Sequence, residues 1–329
     1  MVKKACLPFL MVFLVAAIAT AEDWRPAPKW AEGKKLRIFV GGDPGDTFST
    51  VIYRGAKQAE ADTGATIEYV FSAWNVEKMT AQFREAVAAR PDGIAMMGNA
   101  GDKALMPIAR QAMEAGIKVM WVNSDLPEIR RELGCGYVGV IDQEQQGRDL
   151  AAEAMRTLDI AKGTTVVVTG AWGEPGREVR EKGTAEAFEE AGFNVVRVKS
   201  LPAWNTDVNL ATPVISGSIL ANPDTSVLVL SGGQLMGGAH NYLRAANKKP
   251  GQIKVIGFDV SPEVIRAIKM GYVQLAADQQ PFLQGYLPVL SLCQQIQYDL
   301  APLVVDTGNG FVNADNYERV ADLAGKGLR

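Results

Sequence analysis

The stretch PDGIAMMGNAGDKALMPIARQAMEAGIKVMWVNSD occupies residues 91–125 and contains two short apolar runs with a helical segment between them. The runs GIAMMG (93–98) and IKVMWV (117–122) lack the alternation of a strand with one face in water, which predicts strands covered on both faces. The segment DKALMPIARQAMEAG has helical spacing and ends at Gly116, because glycine is favoured just beyond a helix C-terminus. The stretch therefore predicts a strand–helix–strand unit of a parallel sheet.

The same pattern continues along the rest of the chain. Further apolar runs of this kind are LRIFVG (36–41), TIEYVF (66–71), TVVVTG (165–170), NVVRVK (194–199), SVLVLS (226–231), IKVIGF (253–258) and YVQLAA (272–277). Helical segments lie between them, such as one that begins after Asn75, a favourable N-cap, and one that ends at Gly192. Because this many strands divide more naturally into two sheets than one, we predict an α/β protein of two doubly wound parallel-sheet lobes.

Residues 1–21 differ in character from the rest of the chain. Lys3 and Lys4 precede an uncharged apolar run that ends in Ala-Thr-Ala before two acidic residues. This order is typical of a secretory signal peptide, for which we predict cleavage after Ala21. A membrane anchor is the alternative interpretation, but the run is short for a spanning helix, which needs about 20 apolar residues. Residues 22–35 then form a proline-containing lead-in without periodicity.

The composition is that of a soluble globular protein, with 47% apolar and 22% charged residues in a chain of 329. The formal net charge is −3, and loss of Lys3 and Lys4 with the signal peptide lowers it to −5. Mild acidity argues against nucleic acid as a partner, because phosphate binding needs a basic face. Cys135 and Cys293 lack CxxC spacing and lie in apolar surroundings, so we predict free, buried thiols.

Polar and aromatic residues follow almost every predicted strand, where ligands bind in doubly wound sheets. With one glycine turn, the candidates are Asp46, Phe48, Trp74, Asn99, Asn123, Asp125, Trp172, Arg180, Trp204, Asn205, Gly232, Asp259 and Gln279. Carboxylates, amides and guanidinium groups can hold vicinal hydroxyls, and flat aromatic faces pack against the C–H face of a sugar or polyol. Each residue taken singly has a structural alternative, such as a helix cap, a turn or a solvated side chain. The hypothesis of a site therefore depends on their convergence.

Sequence signatures of catalysis are scarce. His240 is the only histidine, which excludes a histidine-rich metal site and disfavours a histidine-based triad. The string LSGGQ (230–234) is the signature of ABC-transporter ATPases, but no GxxxxGK[ST] loop accompanies it. GGDPGD (41–46) does not match GxGxxG, and its carboxylates would repel a pyrophosphate. We therefore predict a protein that is not an enzyme, with no catalytic residue, metal or cofactor.

From Leu36 to about Asn316 the chain resembles the type I periplasmic solute-binding proteins of ABC importers, which include ribose-, rhamnose- and autoinducer-2-binding proteins. The matching segments are DTFSTVIYRGAKQAEADTG (46–64), ARPDGIAMMGNAGDKALMPIARQAMEAGIKVMWVNSD (89–125), REKG (180–183), KVIGFD (254–259), SPEVIRAIKMG (261–271) and LAADQQPFLQG (275–285). The resemblance implies two lobes, joined by three hinge crossings, that close over one small ligand. With the crossings near 141–143, 278–280 and 306–309, we expect an N-terminal lobe of residues 36–141 plus 279–306 and a C-terminal lobe of 142–278 plus 307–329.

The resemblance also implies roles for individual residues. Asp46 and Phe48 match the first-loop contacts of the family, and Arg180 matches the arginine that reaches ligand oxygens. Asp259 matches the aspartate of the GFD turn, and Gln279 the hinge-side glutamine. Trp204 or Asn205 lies near the aromatic contact after the sixth strand. Asn123 stands where ribose-like binders usually have an aspartate, and Gly232 where they have an asparagine. Losing these hydroxyl partners disfavours ribose or glucose and favours a small polyol, deoxysugar or branched sugar.

The partners that the resemblance implies are a small carbohydrate or polyol and an ABC permease in the inner membrane, with the protein acting as a periplasmic monomer. A ligand-binding subunit for a chemoreceptor or sensor, including one for autoinducer-2-like ligands, remains an alternative. A secreted α/β enzyme is a weaker one, since catalytic residue sets are missing from the sequence. Repressors that share this core are disfavoured, because the N-terminus carries an export signal where a helix-turn-helix should be.

Overall fold

A computed structural model describes residues 28–174, 176–205, 207–308 and 310–329. The predicted signal peptide, with its cleavage after Ala21, and the first part of the lead-in lie outside the described residues. Across the ranges that are described, no helix combines the length and apolar character needed to cross a lipid bilayer.

Two six-stranded sheets organise the described chain. The strands of the first sheet are β1 (Lys35–Gly41), β2 (Thr66–Phe71), β3 (Gly93–Met97), β4 (Lys118–Asn123), β5 (Gly136–Gly139) and β11 (Val304–Asp306). The strands of the second sheet are β6 (Thr165–Gly170), β7 (Asn194–Lys199), β8 (Thr225–Leu230), β9 (Lys254–Phe258), β10 (Leu275–Asp278) and β12 (Gly310–Asn313). Their orders are β11-β5-β4-β3-β1-β2 and β12-β10-β9-β8-β6-β7. The pairing of β10 with β12 is antiparallel, and the other pairings are parallel.

Helices separate most successive strands; α5 and α11 connect one sheet to the other, and α12 follows the last strand. In the first half of the chain they are α1 (Thr47–Thr63), α2 (Val76–Ala88), α3 (Gly101–Glu114), α4 (Pro127–Leu133), α5 (Gln143–Thr157) and α6 (Val179–Glu190). In the second half they are α7 (Thr212–Ala221), α8 (Gly233–Gly237), α9 (Ala239–Ala245), α10 (Pro262–Lys269), α11 (Pro281–Tyr298) and α12 (Glu318–Gly325). Two short 3₁₀ helices, Pro202–Asn205 and Val208–Ala211, precede α7.

The predicted fold class is confirmed: two parallel-sheet α/β lobes share a chain that passes between them three times. The chain leaves the first sheet after β5, returns after β10, and leaves again between β11 and β12. Strands β3 and β6 are buried at every residue, as expected for strands covered by helices on both faces. We call the lobe around the first sheet lobe 1 and the lobe around the second sheet lobe 2.

Three strands were missed by the sequence pattern, and one was misplaced. Strands β5, β11 and β12 have only four, three and four residues, too few to show an apolar run. The strand predicted at 272–277 begins at Leu275, because Gly271 ends the preceding helix with φ +77°. Tyr272 and Val273 donate their backbone N–H groups to the carbonyl of Ala267, so they belong to the turn that terminates α10.

The core of lobe 1 contains two of the three cysteines of the sequence. Cys135 and Cys293 are buried and free, as predicted, and burial raises the pKa of each thiol to about 11. Trp121, in the middle of β4, is fully buried. Both thiols therefore act as small apolar core groups.

Close helix pairs support the crossings in both lobes. In lobe 1, a Cβ at Gly285 of α11 would overlap the backbone carbonyl oxygen of Ile52 in α1. In lobe 2, a Cβ at Gly147 of α5 would overlap the backbone carbonyl oxygen of Arg180 in α6. Glycine lets the two helix backbones of each pair approach this closely. The contact between α5 and α6 at Gly147 also fixes the backbone from which the Arg180 side chain projects.

The contact at Gly285 generates a prediction about stability. Gly285→Ala should lower the free energy of unfolding by about 1–3 kcal/mol, because the added methyl forces α1 and α11 apart. The matched control is Gly217→Ala in α7, where a Cβ would meet nothing within 4 Å. That change should instead raise the free energy of unfolding by up to about 1 kcal/mol, since alanine favours a helix interior. Urea denaturation measures both, and equal effects of the two variants would contradict the packing argument.

Candidate ligand-binding site

A cleft of about 160 Å³ lies between the two lobes, at the ends of the parallel strands. Its volume is below the roughly 300–1,000 Å³ typical of sites for drug-sized ligands, so it suits a small molecule. Nine of the predicted residues line it: Asp46, Phe48, Trp74, Asn99, Asn123, Arg180, Trp204, Asp259 and Gln279. The structure thus brings together residues that are up to 233 positions apart, from Asp46 to Gln279, by placing strand ends of both sheets against one space.

The aromatic wall of the cleft belongs to lobe 1. Asp46 is the N-cap of α1: its Oδ1 accepts a hydrogen bond from the backbone N–H of Ser49 at 2.7 Å, and its Oδ2 accepts one from Trp74 Nε1 at 3.3 Å. The rings of Phe48 and Trp74 lie 5.8 Å apart, centroid to centroid. A capping residue therefore also orients an indole ring, which gives the cleft a flat apolar surface beside a carboxylate.

The glycines of GGDPGD explain how this wall is built. A Cβ at Gly41 would overlap the indole ring of Trp74, and a Cβ at Gly42 would overlap Ser49 Oγ and Trp74 Nε1. The two glycines therefore leave space for the indole ring of Trp74 and for the Ser49 hydroxyl. This role differs from phosphate binding, which the sequence comparison with GxGxxG had already disfavoured.

Arg180 provides the basic group on the lobe 2 side. Its guanidinium lies over the Phe258 ring, with Cζ 4.5 Å from the centroid, and its Nη2 donates to the backbone oxygen of Ser231 at 3.5 Å. Glu181 Oε1 is 3.7 Å from Nη2. The aromatic face and the neighbouring acid hold the guanidinium in place, so it is pre-organised to donate hydrogen bonds to ligand oxygens.

Asp259 is a half-buried carboxylate that faces the same space. Its Oδ1 accepts a hydrogen bond from Gln279 Nε2 at 2.5 Å, and the backbone N–H of Gly233 also donates to it. Burial raises the pKa of Asp259 above its usual range, while Arg180 opposes that rise and Asp46 reinforces it. The influence of Asp46 shows that carboxylates of the two lobes lie within electrostatic reach of each other.

Three cleft residues other than glycine have positive φ angles. The values are +54° for Trp74, +67° for Asn123 and +76° for Asp259. Such conformations are uncommon outside glycine, Asn and Asp, and they are unfavourable for a bulky tryptophan. Strain of this kind is characteristic of binding sites, where surrounding contacts hold a side chain in a required direction.

The LSGGQ string forms the end of β8, a double-glycine turn and the start of α8. A Cβ at Gly233 would lie 3.3 Å from Asp259 Cβ, and one at Gly232 would lie 3.8 Å from Asp259 Oδ2. The turn therefore packs against Asp259. Gly233 lines the cleft, whereas Gly232 lies just outside the lining.

Two predicted site residues contact other groups and do not line the cleft. Asp125 forms a two-point ion pair with Arg130, at 3.0 and 2.9 Å, because the helix that follows returns the arginine to it. Trp172 donates its Nε1 hydrogen to the backbone oxygen of Val168, and Arg197 covers its ring at 5.3 Å. We therefore leave both out of the proposed contact set.

The two remaining residues singled out in the sequence are Asn205 and His240. The side chain of Asn205 lies outside the described residues. His240 packs edge-on against Tyr272, with 6.2 Å between ring centroids, which fits a structural role. Throughout the described part of the chain, no three His, Cys, Asp or Glu side chains are grouped so that they could hold a metal ion.

Glu181 is the main cleft residue that the sequence reasoning missed. Its side chain is only 2% exposed, and its Oε2 has no hydrogen-bond partner among the described residues. Burial raises the pKa of this carboxyl above its ordinary value. The one signal in the sequence was its place beside Arg180 in the REKG segment. That place does not predict a cleft residue, because adjacent residues of a helix normally point in different directions. Ser124, Gln143, Ser200 and Ser231 also line the cleft.

Comparisons with known proteins identify relatives of this chain. Residues 38–299 match the family model of the periplasmic binding protein domain. The D-ribose/D-allose-binding protein of Pseudomonas aeruginosa is 26% identical over 67% of this chain, and the xylose/arabinose-binding protein of Sulfolobus acidocaldarius is 26% identical over 73%. The matched regions span 64% and 61% of those two proteins, less than two thirds of their lengths.

Solved structures give the same result. A carbohydrate transporter from Acidothermus cellulolyticus 11B, in complex with myo-inositol, is 26% identical with a TM-score of 0.76, and the match covers 90% of this chain and 99% of that chain. A glucose-galactose-binding protein from Geobacillus stearothermophilus shares the fold, with 22% identity, a TM-score of 0.72, and coverage of 87% and 99%. These relatives are named for binding or transport, and none of these names describes an enzyme.

The buried Glu181 generates a prediction about pH. Because its folded pKa is raised, the native state holds this proton more tightly than the unfolded chain does, and stability is lost as pH rises above the ordinary glutamate pKa of about 4.3. In Glu181→Gln this loss disappears, so the difference in melting temperature between variant and wild type should grow from pH 4 to pH 8. The control Glu85→Gln, at an exposed position of α2, should show a flat difference. Thermal denaturation across this range checks both, and a flat or falling difference for Glu181→Gln would refute the prediction.

Proposed function

This chain belongs to the periplasmic binding protein domain family, and we propose that it captures a small neutral sugar, deoxysugar or polyol in the cleft between its lobes. The observation that carries the proposal is the meeting of Trp74 and Asp46 from lobe 1 with Arg180 and Asp259 from lobe 2. Together they supply a flat apolar face, two carboxylates and a guanidinium within one space of about 160 Å³.

The polar chemistry of the cleft suits hydroxyl groups. Asp46 and Asp259 accept hydrogen bonds from hydroxyl donors, and Arg180 donates to hydroxyl or ring oxygens. Hydrogen bonds to charged groups are worth roughly 1.5–3 kcal/mol each, enough to distinguish one hydroxyl configuration from another. The rings of Phe48 and Trp74 can cover the C–H face of the same molecule.

The charge balance of the cleft supports a neutral ligand. The lining carries the carboxylates of Asp46, Asp259 and Glu181, whereas Arg177 is already paired with Glu174 at 2.9 Å. An anionic ligand would meet repulsion from these carboxylates with Arg180 as its main attraction. A molecule rich in hydroxyl donors avoids that cost.

The relatives support the same class of ligand. Two are named for ribose, allose, xylose or arabinose, and one structure was solved with myo-inositol. This chain has Asn123 and Gly232 where its resemblance to ribose-like binders leads one to expect an aspartate and an asparagine. We therefore place its ligand among the small polyols, deoxysugars and branched sugars of this group.

The mechanism follows from the sharing of contacts between two lobes. A ligand that binds groups of both lobes binds the closed arrangement better than an open one, so it shifts the population towards closure. We propose that the closed protein, exported to the periplasm as a monomer, delivers its ligand unchanged to an ABC permease. The chain itself performs no reaction on the ligand.

A thermal-shift screen tests this proposal. The panel contains D-ribose, D-xylose, L-arabinose, L-rhamnose, tetritols, pentitols, myo-inositol and autoinducer-2. A ligand at 1,000 times its Kd adds about 4 kcal/mol of stability, which raises the melting temperature by several degrees. Arg180→Ala and Asp259→Asn should each weaken binding about 10- to 150-fold, because each removes a charged hydrogen-bonding group.

Arg266→Ala is the matched control, since Arg266 pairs with Glu263 on the surface of α10 and does not line the cleft. It should leave the ligand-induced shift unchanged. If no compound shifts the wild type, the polyol hypothesis is wrong. If Arg180→Ala and Asp259→Asn bind as well as the wild type does, the proposed contact set is wrong.

A further inference from the structure

A part-buried run of side-chain hydrogen bonds links the cleft to the crossings between the lobes. It contains Asp259 of lobe 2, Gln279 in the second crossing, Asn123 at the end of β4, and Gln284 in α11; we call it the amide relay. Gln279, Asn123 and Asp259 line the cleft, but Gln284 does not and is fully buried. A buried glutamine of this kind needs partners for both its oxygen and its nitrogen.

The orientation of Gln284 is fixed by a group that can only accept. Its Nε2 lies 3.0 Å from the backbone oxygen of Gln279 and 3.1 Å from Thr307 Oγ1. A carbonyl oxygen has no hydrogen to donate, so the nitrogen of Gln284 must point to it. The oxygen of Gln284 then faces Asn123, with Oε1 3.3 Å from Asn123 Nδ2.

That orientation sets the others in turn. Because Asn123 Nδ2 faces Gln284 Oε1, its second hydrogen points to Gln279 Oε1 at 3.4 Å. Gln279 must then present its Nε2 to Asp259, where Oδ1 accepts at 2.5 Å. Both hydrogens of Asn123 Nδ2 are consumed inside the protein.

The consequence for the cleft concerns the remaining oxygen of Asn123. We infer that Gln284 is a positioning residue that holds Asn123 with Oδ1 as its only free polar atom. At this position the site therefore accepts a hydrogen bond from a ligand hydroxyl. Asn123 then offers the ligand one neutral acceptor oxygen, where an aspartate would offer two charged ones. This inference rests on the proposed function for its ligand, but the orientation of the relay does not.

A double-mutant cycle on the protein without ligand tests the orientation. In Asn123→Asp, a carboxylate oxygen replaces Nδ2 and faces the oxygens of both glutamines, so the melting temperature should fall by about 4–8 °C. In the Gln284→Met background one of those oxygens is gone and that of Gln279 remains, so the same substitution should cost about half as much. Glutamine and methionine are both neutral, so the comparison does not change the charge around Asn123.

The sign of the coupling decides the result. If Gln284 instead presented its nitrogen to Asn123, an aspartate would be well accommodated in the wild-type background, and Gln284→Met would increase its cost. That outcome, or an Asn123→Asp cost that is equal in the two backgrounds, overturns the relay.

Ligand binding tests the positioning role, with myo-inositol and L-rhamnose as the probes. Gln284→Met should weaken the binding of a probe about 10-fold, although residue 284 does not reach the cleft. The control is Gln295→Met in the same helix, because Gln295 is also buried and bonds to Ser291 Oγ at 3.2 Å. It should lower stability without changing affinity, and equal losses of affinity in both variants would overturn the positioning role.

A spectroscopic measurement separates positioning from general loosening. The Asn123 side-chain amide, identified in a ¹H–¹⁵N spectrum by its disappearance in Asn123→Asp, should have both hydrogens protected from exchange with water. Gln284→Met should release one of them and Gln295→Met neither; unprotected hydrogens in the wild type would refute the relay. If no compound of the thermal-shift panel binds the wild type, the proposed function is contradicted, and the relay is still decided by the cycle and this spectrum.

Discussion

The three passages of the chain between the sheets constrain everything else in this structure. Each passage begins at the carboxyl end of a strand, so the ends of both sheets are held around one space. Gln279 lies in the second passage and bonds to Asp259 of lobe 2, while Gln284, at the start of the helix that follows, bonds to Thr307 in the third. The proposed binding groups and the connections between the lobes therefore share their hydrogen bonds.

Several residues serve both local structure and the cleft. Asp46 caps a helix and orients Trp74, and Gly147 fixes the backbone of Arg180 through a contact between helices. Asp259 packs against the double-glycine turn formed by Gly232 and Gly233. Such double use explains why a site built of ordinary polar residues can hold positive φ angles and buried carboxylates, since the fold around them supplies compensating contacts.

The sequence allowed the fold to be predicted because parallel strands that are buried on both faces leave long apolar runs. It also indicated the region of the site, because residues that follow such strands converge at one edge. Strand β11, with three residues, leaves no comparable pattern, and the ion pair of Asp125 with Arg130 depends on how the next helix folds back. Glu181 and Gln284 could not be predicted, because their roles come from tertiary contacts that periodicity does not encode.

The low reactivity of the Cys135 and Cys293 thiols has a practical consequence for making an optical sensor from this chain. The thiolate is the form that reacts with maleimides and other labelling reagents, and both Cys135 and Cys293 are buried with a pKa of about 11. At neutral pH they present almost no reactive sulfur to solvent. In the chain without residues 1–21, which contain Cys6, a fluorophore attached through a new cysteine at the cleft rim would therefore react at one site without removing either native thiol. Its signal would test the proposed lobe closure.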